Sequence, residues 1–167
     1  MSHDALFQSG MDLEAPSTPR TEDTFAQDAH AETTIPGDDR KDFFIEKDGV
    51  RCAGAHLIID LHGADHLDDL EHIERALLDC VQASGATLLH IHLHPFEPNG
   101  GVSGVAVLAE SHISIHSWPE TGYAALDVFM CGAAKPDACI PVLEQAFSPD
   151  RVEVKELLRG KSADQPN

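Results

Sequence analysis

Hydrophobic and polar positions change period several times after residue 40. The segment 55–63, "AHLIIDLHG", is an apolar run of strand length. Segment 65–85 then spaces its apolar residues three and four apart, which predicts an amphipathic helix. Its apolar stripe consists of Leu67, Leu70, Ile73, Leu77, Cys80 and Val81. Asp65 is the predicted N-cap, and Gly85 is the predicted C-terminal stop.

Strict alternation follows in the segment 87–96, "TLLHIHLHPF", which predicts a strand. Its apolar positions Leu89, Ile91 and Leu93 are expected on one face, and His90, His92 and His94 on the other. Segments 100–110, 111–118 and 123–131 are predicted to be three further strands.

Residues 135–147, "KPDACIPVLEQAF", predict a second helix, provided that Pro141 lies in its first turn. Residues 150–158 alternate as a last strand. Strands with one helix after the first and another before the last indicate an α+β fold. We expect a two-layer α/β sandwich, an antiparallel sheet with both helices packed on one face.

The first 40 residues have a different composition from the rest of the chain. They are acidic and rich in Ser, Thr, Pro and Asp, and their few apolar residues follow no period. We therefore predict a disordered N-terminal tail over 1–40, a single folded domain over 41–160 and a flexible C-terminus over 161–167.

Charge and cysteine content narrow the classes of partner. The 167 residues carry a formal net charge of −18, which disfavours nucleic acid and anionic membranes and favours cationic small molecules. The chain has neither an apolar run of membrane-spanning length nor a signal-peptide pattern, so we expect a cytoplasmic protein. Its four cysteines form no CxxC pair and are expected to be free thiols, with Cys80 in the core.

The segment 109–120, "AESHISIHSWPE", concentrates reactive groups: a serine hydroxyl, two imidazoles, two carboxylates and the only indole of the chain. An ordinary serine hydrolase presents its nucleophile on a glycine-flanked elbow. Ser111 is instead flanked by Glu110 and His112 between two predicted strands, which argues against that class. A serine in a turn would explain Ser111 alone but not its neighbours.

Two further candidates remain open on residue chemistry alone. Alternate positions of a strand are about 6.5–7 Å apart, so one strand does not easily supply His90, His92 and His94 to a single zinc ion. A dimetal or mixed site is one alternative, and a polar strand face lining a cleft or interface is the favoured interpretation. Cys131 ends a strand beside a glycine, a position equally compatible with packing and with chemistry.

Residues 101–132, "GVSGVAVLAESHISIHSWPETGYAALDVFMCG", closely resemble the prokaryotic S-adenosylmethionine decarboxylases, pyruvoyl enzymes of polyamine synthesis. The spacing of ESH, IHSWPE and DVFMCG carries the resemblance, which extends over about 41–154. It implies decarboxylation of S-adenosyl-L-methionine to S-adenosyl 3-(methylthio)propylamine for spermidine synthesis.

The resemblance also implies a reason for the unusual serine. Proenzymes of this family cut themselves at the bond that corresponds to Glu110–Ser111, and Ser111 becomes a covalent pyruvoyl cofactor. The products would be a β chain of residues 1–110 and an α chain of 111–167. The pyruvoyl group forms a Schiff base with the substrate amine and accepts the electrons released with CO₂.

Residue roles are carried over position by position. Besides the Ser111 precursor, the resemblance assigns processing roles to Ser103 and His116 and gives Cys131 the role of proton donor. Ser111, His116 and Cys131 form the implied catalytic set. Glu120 matches an acid that holds the ribose hydroxyls of the substrate, and Phe96 an aromatic that stacks on adenine.

Other properties are implied by the resemblance alone. This short form resembles the family branch that needs neither Mg²⁺ nor putrescine, so no metal is expected. A homodimer of αβ units is implied, with both protomers contributing to the site near the interface. Two alternatives stay open: the same pyruvoyl chemistry on ornithine or arginine, or a non-enzymatic metal-binding oligomer. Trp118 fits either the site or the core.

Overall fold

A computed structural model of the chain describes residues 43–161. The predicted N-terminal tail over 1–40 lies outside the described residues, and so does the predicted C-terminal segment from 162 onward. A short hairpin of β1 (Ile45–Lys47) and β2 (Val50–Cys52) opens the described part.

The main sheet has six strands in the order β4-β5-β6-β7-β3-β8, with every neighbouring pair antiparallel. Its strands are β3 (Gly54–His62), β4 (Leu88–Pro95), β5 (Val102–Leu108), β6 (Ser111–Trp118), β7 (Tyr123–Met130) and β8 (Arg151–Arg159). The helices are α1 (Leu70–Ser84) and α2 (Cys139–Phe147), with 3₁₀ turns at Pro119–Thr121 and Pro136–Ala138.

Both helices cover the same face of this sheet. The core joins alternate strand residues such as Leu57, Ile59 and Ile113 to Leu77 of α1 and Phe147 of α2, all completely buried. Removing each such side chain from water contributes about 1.5–3 kcal/mol. The opposite face, called here the open face, carries no helix among the described residues. This arrangement confirms the predicted α+β sandwich.

Helix α1 begins later than its sequence pattern suggested, so the predicted N-cap at Asp65 is wrong. Asp69 is the N-cap, and its carboxylate accepts a hydrogen bond of 3.0 Å from the backbone N–H of His72. His66, with φ of 60°, interrupts any helix that would begin at Asp65. Gly85 ends the helix in the left-handed conformation, as predicted.

Strand β4 departs from strict alternation near its start. An irregularity in the β4–β5 register falls between Leu88 and His90, and the side chain of Leu89 is 65% exposed. Leu88 packs on the core together with Ile91 and Leu93. The prediction that Leu89 shares their face is therefore wrong, because a bulge shifts the alternation by one residue.

The second helix satisfies the condition set by its proline. Pro141 is the third residue of α2, within the first turn, where its missing N–H removes no intrahelical hydrogen bond.

Cys80 is completely buried as predicted, and all four cysteines are free thiols. Neither α1 nor α2 is long and apolar enough to span a membrane.

Candidate active site

The turn between β5 and β6 holds the Glu110–Ser111 peptide in a strained conformation. Leu108 pairs with Ser111, so only two residues form the turn. Glu110 has a φ of 62°, a region that a glutamate adopts at a cost of about 1–3 kcal/mol. The N–H of Ala109 donates to the carbonyl of Thr87 at 2.8 Å and anchors the turn from the other side.

Ser111 and Cys131 meet at this turn. The Ser111 hydroxyl accepts a hydrogen bond of 3.3 Å from the backbone N–H of Cys131, and its oxygen lies 3.7 Å from the Cys131 sulfur. The thiol donates to the carbonyl oxygen of Glu110 at 3.0 Å. The Cys131 thiol therefore contacts both the Ser111 hydroxyl and the carbonyl of the residue that precedes Ser111. Glu110, Ser111 and Cys131 are called the cleavage cluster below.

The environment of Cys131 favours its protonated form. Burial raises the pKa of this thiol above its ordinary value of 9.0, and the nearby Glu110 carboxylate adds to the increase. The hydrogen bond with Ser111 acts in the opposite direction but does not reverse the shift. The Cys131 sulfur therefore keeps its proton at neutral pH and is suited to donating it.

A second group of candidate residues lies toward the other end of β5 and β6. Ser103 faces His116 across the strand pair, with 2.7 Å between the serine hydroxyl and Nδ1 of the imidazole. Both residues line a cavity of about 280 Å³. The complete lining is Phe96, Asn99, Gly101, Ser103, His116, Ser117, Trp118 and Glu120, called the cavity cluster below.

Aromatic side chains form one side of this cavity. Phe96 and Trp118 are 50% and 41% exposed, and the Trp118 ring stacks on Tyr123 with 5.3 Å between centroids. Trp118 thus lines the cavity and does not belong to the buried core. A flat aromatic group entering the cavity would meet exposed ring faces.

Ser117 is a site residue that sequence reasoning missed. Its hydroxyl is buried, donates to the Leu67 carbonyl at 2.7 Å and accepts from the Val102 N–H at 2.8 Å. A side chain at Gly101 would come within 2.7 Å of the Ser117 carbonyl, so only glycine permits this close approach. Ser117 therefore ties the start of β5 to the segment that precedes α1.

The cleavage cluster and the cavity cluster do not meet within one chain. Ser111 and His116 are five residues apart on β6, which separates them by about 17 Å along the strand. Because five is odd, their side chains leave opposite faces, with Ser111 buried and His116 exposed. The structure thus places the predicted residues in two groups.

The histidine strand contributes to the open face. His90, His92 and His94 are all exposed on β4. Within residues 43–161, no three side chains of His, Cys, Asp or Glu are arranged to hold a metal ion. The exposure of all three imidazoles agrees with the interpretation of a polar strand face.

Further histidines lie near the centre of the open face. Nε2 of His56 lies 2.9 Å from a carboxylate oxygen of Asp127, and Arg159 donates to Nδ1 of the same ring at 3.2 Å. Because Arg159 occupies the acceptor nitrogen, His56 donates from Nε2 to Asp127. Burial, with a smaller contribution from His56, lowers the pKa of His112. These two effects favour the neutral form of the His112 imidazole.

Comparisons with known proteins agree with one another. The profile of the S-adenosylmethionine decarboxylase family matches residues 55–160. The S-adenosylmethionine decarboxylase proenzyme of Thermomicrobium roseum is 48% identical over 116 residues, which cover 69% of this chain and 100% of the relative. A protein of the same name from Methanococcus maripaludis is 51% identical over 114 residues, covering 66% and 93%.

A solved structure shares the fold. The crystal structure of the adenosylmethionine decarboxylase from Aquifex aeolicus superposes with a TM-score of 0.60 at 34% identity. The match covers 68% of this chain and 96% of that one.

Proposed function

The chain belongs to the S-adenosylmethionine decarboxylase family, and from that premise we propose how its two clusters carry out the reaction. It is an enzyme that decarboxylates S-adenosylmethionine. We propose that the product is S-adenosyl 3-(methylthio)propylamine, the aminopropyl donor for spermidine synthesis. The observation that carries the mechanism is the position of the Cys131 thiol, which contacts both the Ser111 hydroxyl and the Glu110 carbonyl.

Self-cleavage begins with attack of the Ser111 oxygen on the carbonyl carbon of Glu110. An ester bond forms, the peptide C–N bond breaks, and the nitrogen of residue 111 becomes a free amine. The Cys131 thiol, 3.0 Å from the carbonyl oxygen, stabilises the negative charge that develops there. The left-handed conformation of Glu110 favours the reaction because cleavage releases its strain.

Elimination and hydrolysis complete the conversion. Loss of the α-proton of residue 111 expels the Glu110 carboxylate, and water then releases ammonia and leaves a pyruvoyl group at position 111. The β chain ends at Glu110, and the α chain is 111–167. In this mechanism, Ser103 and His116 assist the ester rearrangement and the elimination, and their 2.7 Å hydrogen bond orients the imidazole for proton transfer.

The residues around position 111 fit the proposed cofactor. When present, a pyruvoyl group supplies a carbonyl that condenses with the substrate amine and accepts the electrons released with CO₂. Cys131 lies against position 111 and holds its proton at neutral pH. In the proposed mechanism it delivers this proton to the α-carbon of the substrate.

Substrate recognition is assigned to the cavity cluster. Phe96 would stack on the adenine ring, and the carboxylate of Glu120 would accept hydrogen bonds from the ribose hydroxyls. Both residues line the same cavity, which supports an adenosyl substrate. The net charge of −18 favours approach of a sulfonium cation.

A homodimer would complete the site. Self-cleavage needs Ser103 and His116 near Ser111, whereas one chain separates Ser111 and His116 by about 17 Å. We propose that two protomers associate so that the cavity cluster of one approaches the cleavage cluster of the other at the end of the sheet. Exposed Val107 and Leu157 supply apolar surface for that contact. Residue 111 is the first residue of β6, so it lies at one end of the sheet, where a partner chain could approach it.

The proposed location is the cytoplasm, and no nucleic-acid or membrane partner is proposed. Three of the four free thiols are buried, and Cys131 must stay reduced to donate its proton. A reducing compartment satisfies that requirement.

The substrate assignment is tested by CO₂ release. Purified protein would be given carboxyl-labelled S-adenosylmethionine, ornithine or arginine in parallel. The proposal predicts release from S-adenosylmethionine alone. Release from ornithine or arginine alone would keep the pyruvoyl chemistry but contradict the roles of Phe96 and Glu120.

A further inference from the structure

The hairpin β1–β2 and Phe43, which precedes it, lie upstream of the segment that matches the family profile, residues 55–160. This part of the chain contacts the loop that follows Cys131. The contact connects a segment without an assigned role to the proposed proton donor.

Phe43 and Gly132 are in direct backbone contact. The N–H of Gly132 donates to the carbonyl of Phe43 at 2.9 Å. Gly132 has a φ of 61°, and a Cβ at this position would lie 3.3 Å from Cδ1 of the Phe43 ring. The Phe43 ring therefore packs over the glycine that directly follows Cys131 in the chain.

The hairpin is attached to the rest of the fold at both ends. The Lys47 ammonium donates to the Asp137 carboxylate at 3.3 Å and also to the Glu156 carboxylate on β8. The bond to Glu156 is the main reason why the pKa of Lys47 is raised. After β2, the Ala53 N–H donates to the Arg159 carbonyl at 2.8 Å. These bonds fix the hairpin against β8 and the 3₁₀ turn at Pro136–Ala138.

The turn between β1 and β2 has a well-defined backbone conformation. Asp48 and Gly49 form a two-residue turn and both have positive φ, at 52° and 76°. This is the Asp-Gly pattern of a type I′ turn, which matches the natural twist of two antiparallel strands. Phe43 is therefore presented to Gly132 from an ordered base.

We propose that Phe43 is a positioning residue for Cys131: its carbonyl and ring hold Gly132, which keeps the thiol aimed at position 111. The inference rests on the proposed role of Cys131 as proton donor. Small displacements of a catalytic group have large effects on rate, because proton transfer requires hydrogen-bond distance. Loss of the Phe43 contact would let the thiol move away from its target.

A displaced thiol would have a chemical consequence beyond slower turnover. A proton that adds to the carbon of residue 111, instead of the α-carbon of the substrate, leaves the substrate nitrogen on the enzyme. Hydrolysis by water would then produce alanine at position 111 and release the decarboxylated substrate as an aldehyde. The enzyme would be inactivated after fewer turnovers.

The first test measures the accessibility of Cys131 in the full chain under native conditions. Cys131 is the one cysteine of the four that is not buried, so iodoacetamide should modify it selectively when the pH is above 9 and part of the thiol is ionised. Phe43→Ala and Gly132→Ala should increase its alkylation rate several-fold, as located by peptide mass. Phe43→Leu, which keeps an apolar side chain over Gly132, should restore the wild-type rate.

Gly85→Ala is the matched control for Gly132→Ala. Gly85 has a similar φ of 73°, but a Cβ there would have no neighbour within 4 Å. The Gly85→Ala substitution therefore imposes similar backbone strain at the end of α1 without a contact to Phe43. Its Cys131 alkylation rate should remain that of the wild type.

The second test counts turnovers before inactivation and determines kcat and KM. Phe43→Ala should reduce the number of turnovers by roughly tenfold and lower kcat, with KM unchanged because the cavity cluster is untouched. Alanine at position 111, detected by mass, should accumulate in proportion.

Unchanged alkylation in both Phe43→Ala and Gly132→Ala would overturn the inference, as would faster alkylation with an unchanged turnover number. Gly132→Ala probes the contact from the opposite side, so misfolding of Phe43→Ala would leave the question decidable. Clean turnover by Cys131→Ala would instead refute the proposed proton donor. The two failures are therefore distinguishable.

Discussion

Ser111 and His116 lie on the same strand, five residues apart, with their side chains on opposite faces of the sheet. Each has its own partners: Ser111 contacts Cys131, and His116 contacts Ser103. The distance along the strand, about 17 Å, is too long for proton transfer between the two residues. If both serve one reaction, a second copy of the chain must supply one of them.

Coexpression of Ser111→Ala and His116→Ala chains tests this sharing of the site. Each variant alone should be inactive, since its homodimer lacks one half of both sites. A mixed dimer has one intact site, made from Ser111 of one chain and His116 of the other. With random pairing, about half of the dimers are mixed and each has one active site of two. CO₂ release from S-adenosylmethionine should therefore be about a quarter of that of the same amount of wild-type protein.

One control and one contrary outcome sharpen that result. Coexpression of Ser111→Ala with Cys131→Ala should give no such recovery, because both residues belong to the same cluster. Absence of recovery in the Ser111 and His116 mixture, despite mixed dimers being present by mass, would mean that each chain builds its own site.

Cys131→Ala should separate cleavage from catalysis. Self-cleavage should continue at least in part, since Ser111 remains the nucleophile, but clean turnover should be lost because no thiol donates the proton. Fragment masses and product formation measure the two effects separately. Full activity of this variant would show that another group delivers the proton.

The same thiol gives a pH prediction. Its pKa is raised, chiefly by burial, so the protonated form that acts as donor persists above pH 9.0, the ordinary thiol value. Turnover by the wild type should therefore show no decline attributable to Cys131 until the pH exceeds that value. A loss of kcat near pH 7 caused by deprotonation of the Cys131 thiol would contradict the assigned environment.

Glu120→Gln should weaken substrate binding without preventing cleavage. A hydrogen bond to a charged group contributes about 1.5–3 kcal/mol, so KM should rise roughly tenfold or more, with a smaller change in kcat. Glu144→Gln, on the exposed part of α2, removes the same charge away from the cavity and should leave KM unchanged. Equal KM values for the two variants would mean that Glu120 does not bind the substrate.

Asp69→Ala should lower the melting temperature of the full chain more than Asp65→Ala. The backbone N–H of His72 lowers the pKa of Asp69 below its ordinary 3.8, so the fold favours the charged carboxylate. The stabilisation is present above pH 3.8 and is lost as the pH falls through the lowered pKa. Circular dichroism at pH 7 and at pH 3 should therefore show a difference that shrinks on acidification. A larger decrease in melting temperature for Asp65→Ala would mean that Asp65, and not Asp69, is the N-cap of α1.

Periodicity predicted the main elements of the fold but misplaced some boundaries. Leu67 falls on the helical stripe and is buried, yet it lies in the loop before α1, and its position suggested a start at Asp65. Leu89 was misplaced because a bulge changes the face of a residue without changing the sequence pattern. Both errors arise from tertiary contacts that a local pattern does not contain.

Residue chemistry drew attention to Ser111 and Cys131, but their contact spans 20 residues and depends on the pairing of strands. The strand assignment already implied that Ser111 and His116 point to opposite faces. The contact between Phe43 and Gly132 was not predictable in this way, because it joins distant segments and the hairpin before β3 carries no periodic signal. Ser117 was missed because its role depends on bonds to Leu67 and Val102.

The most direct test of the account is the denatured intact mass of the purified protein, recorded with and without a reagent specific for carbonyl groups. We predict two fragments that divide between Glu110 and Ser111, of which the one starting at residue 111 reacts as a ketone. Ser111→Ala should give one uncut chain that does not react. A wild-type protein that remains a single unreactive chain under conditions in which S-adenosylmethionine is turned over would contradict the proposed cofactor.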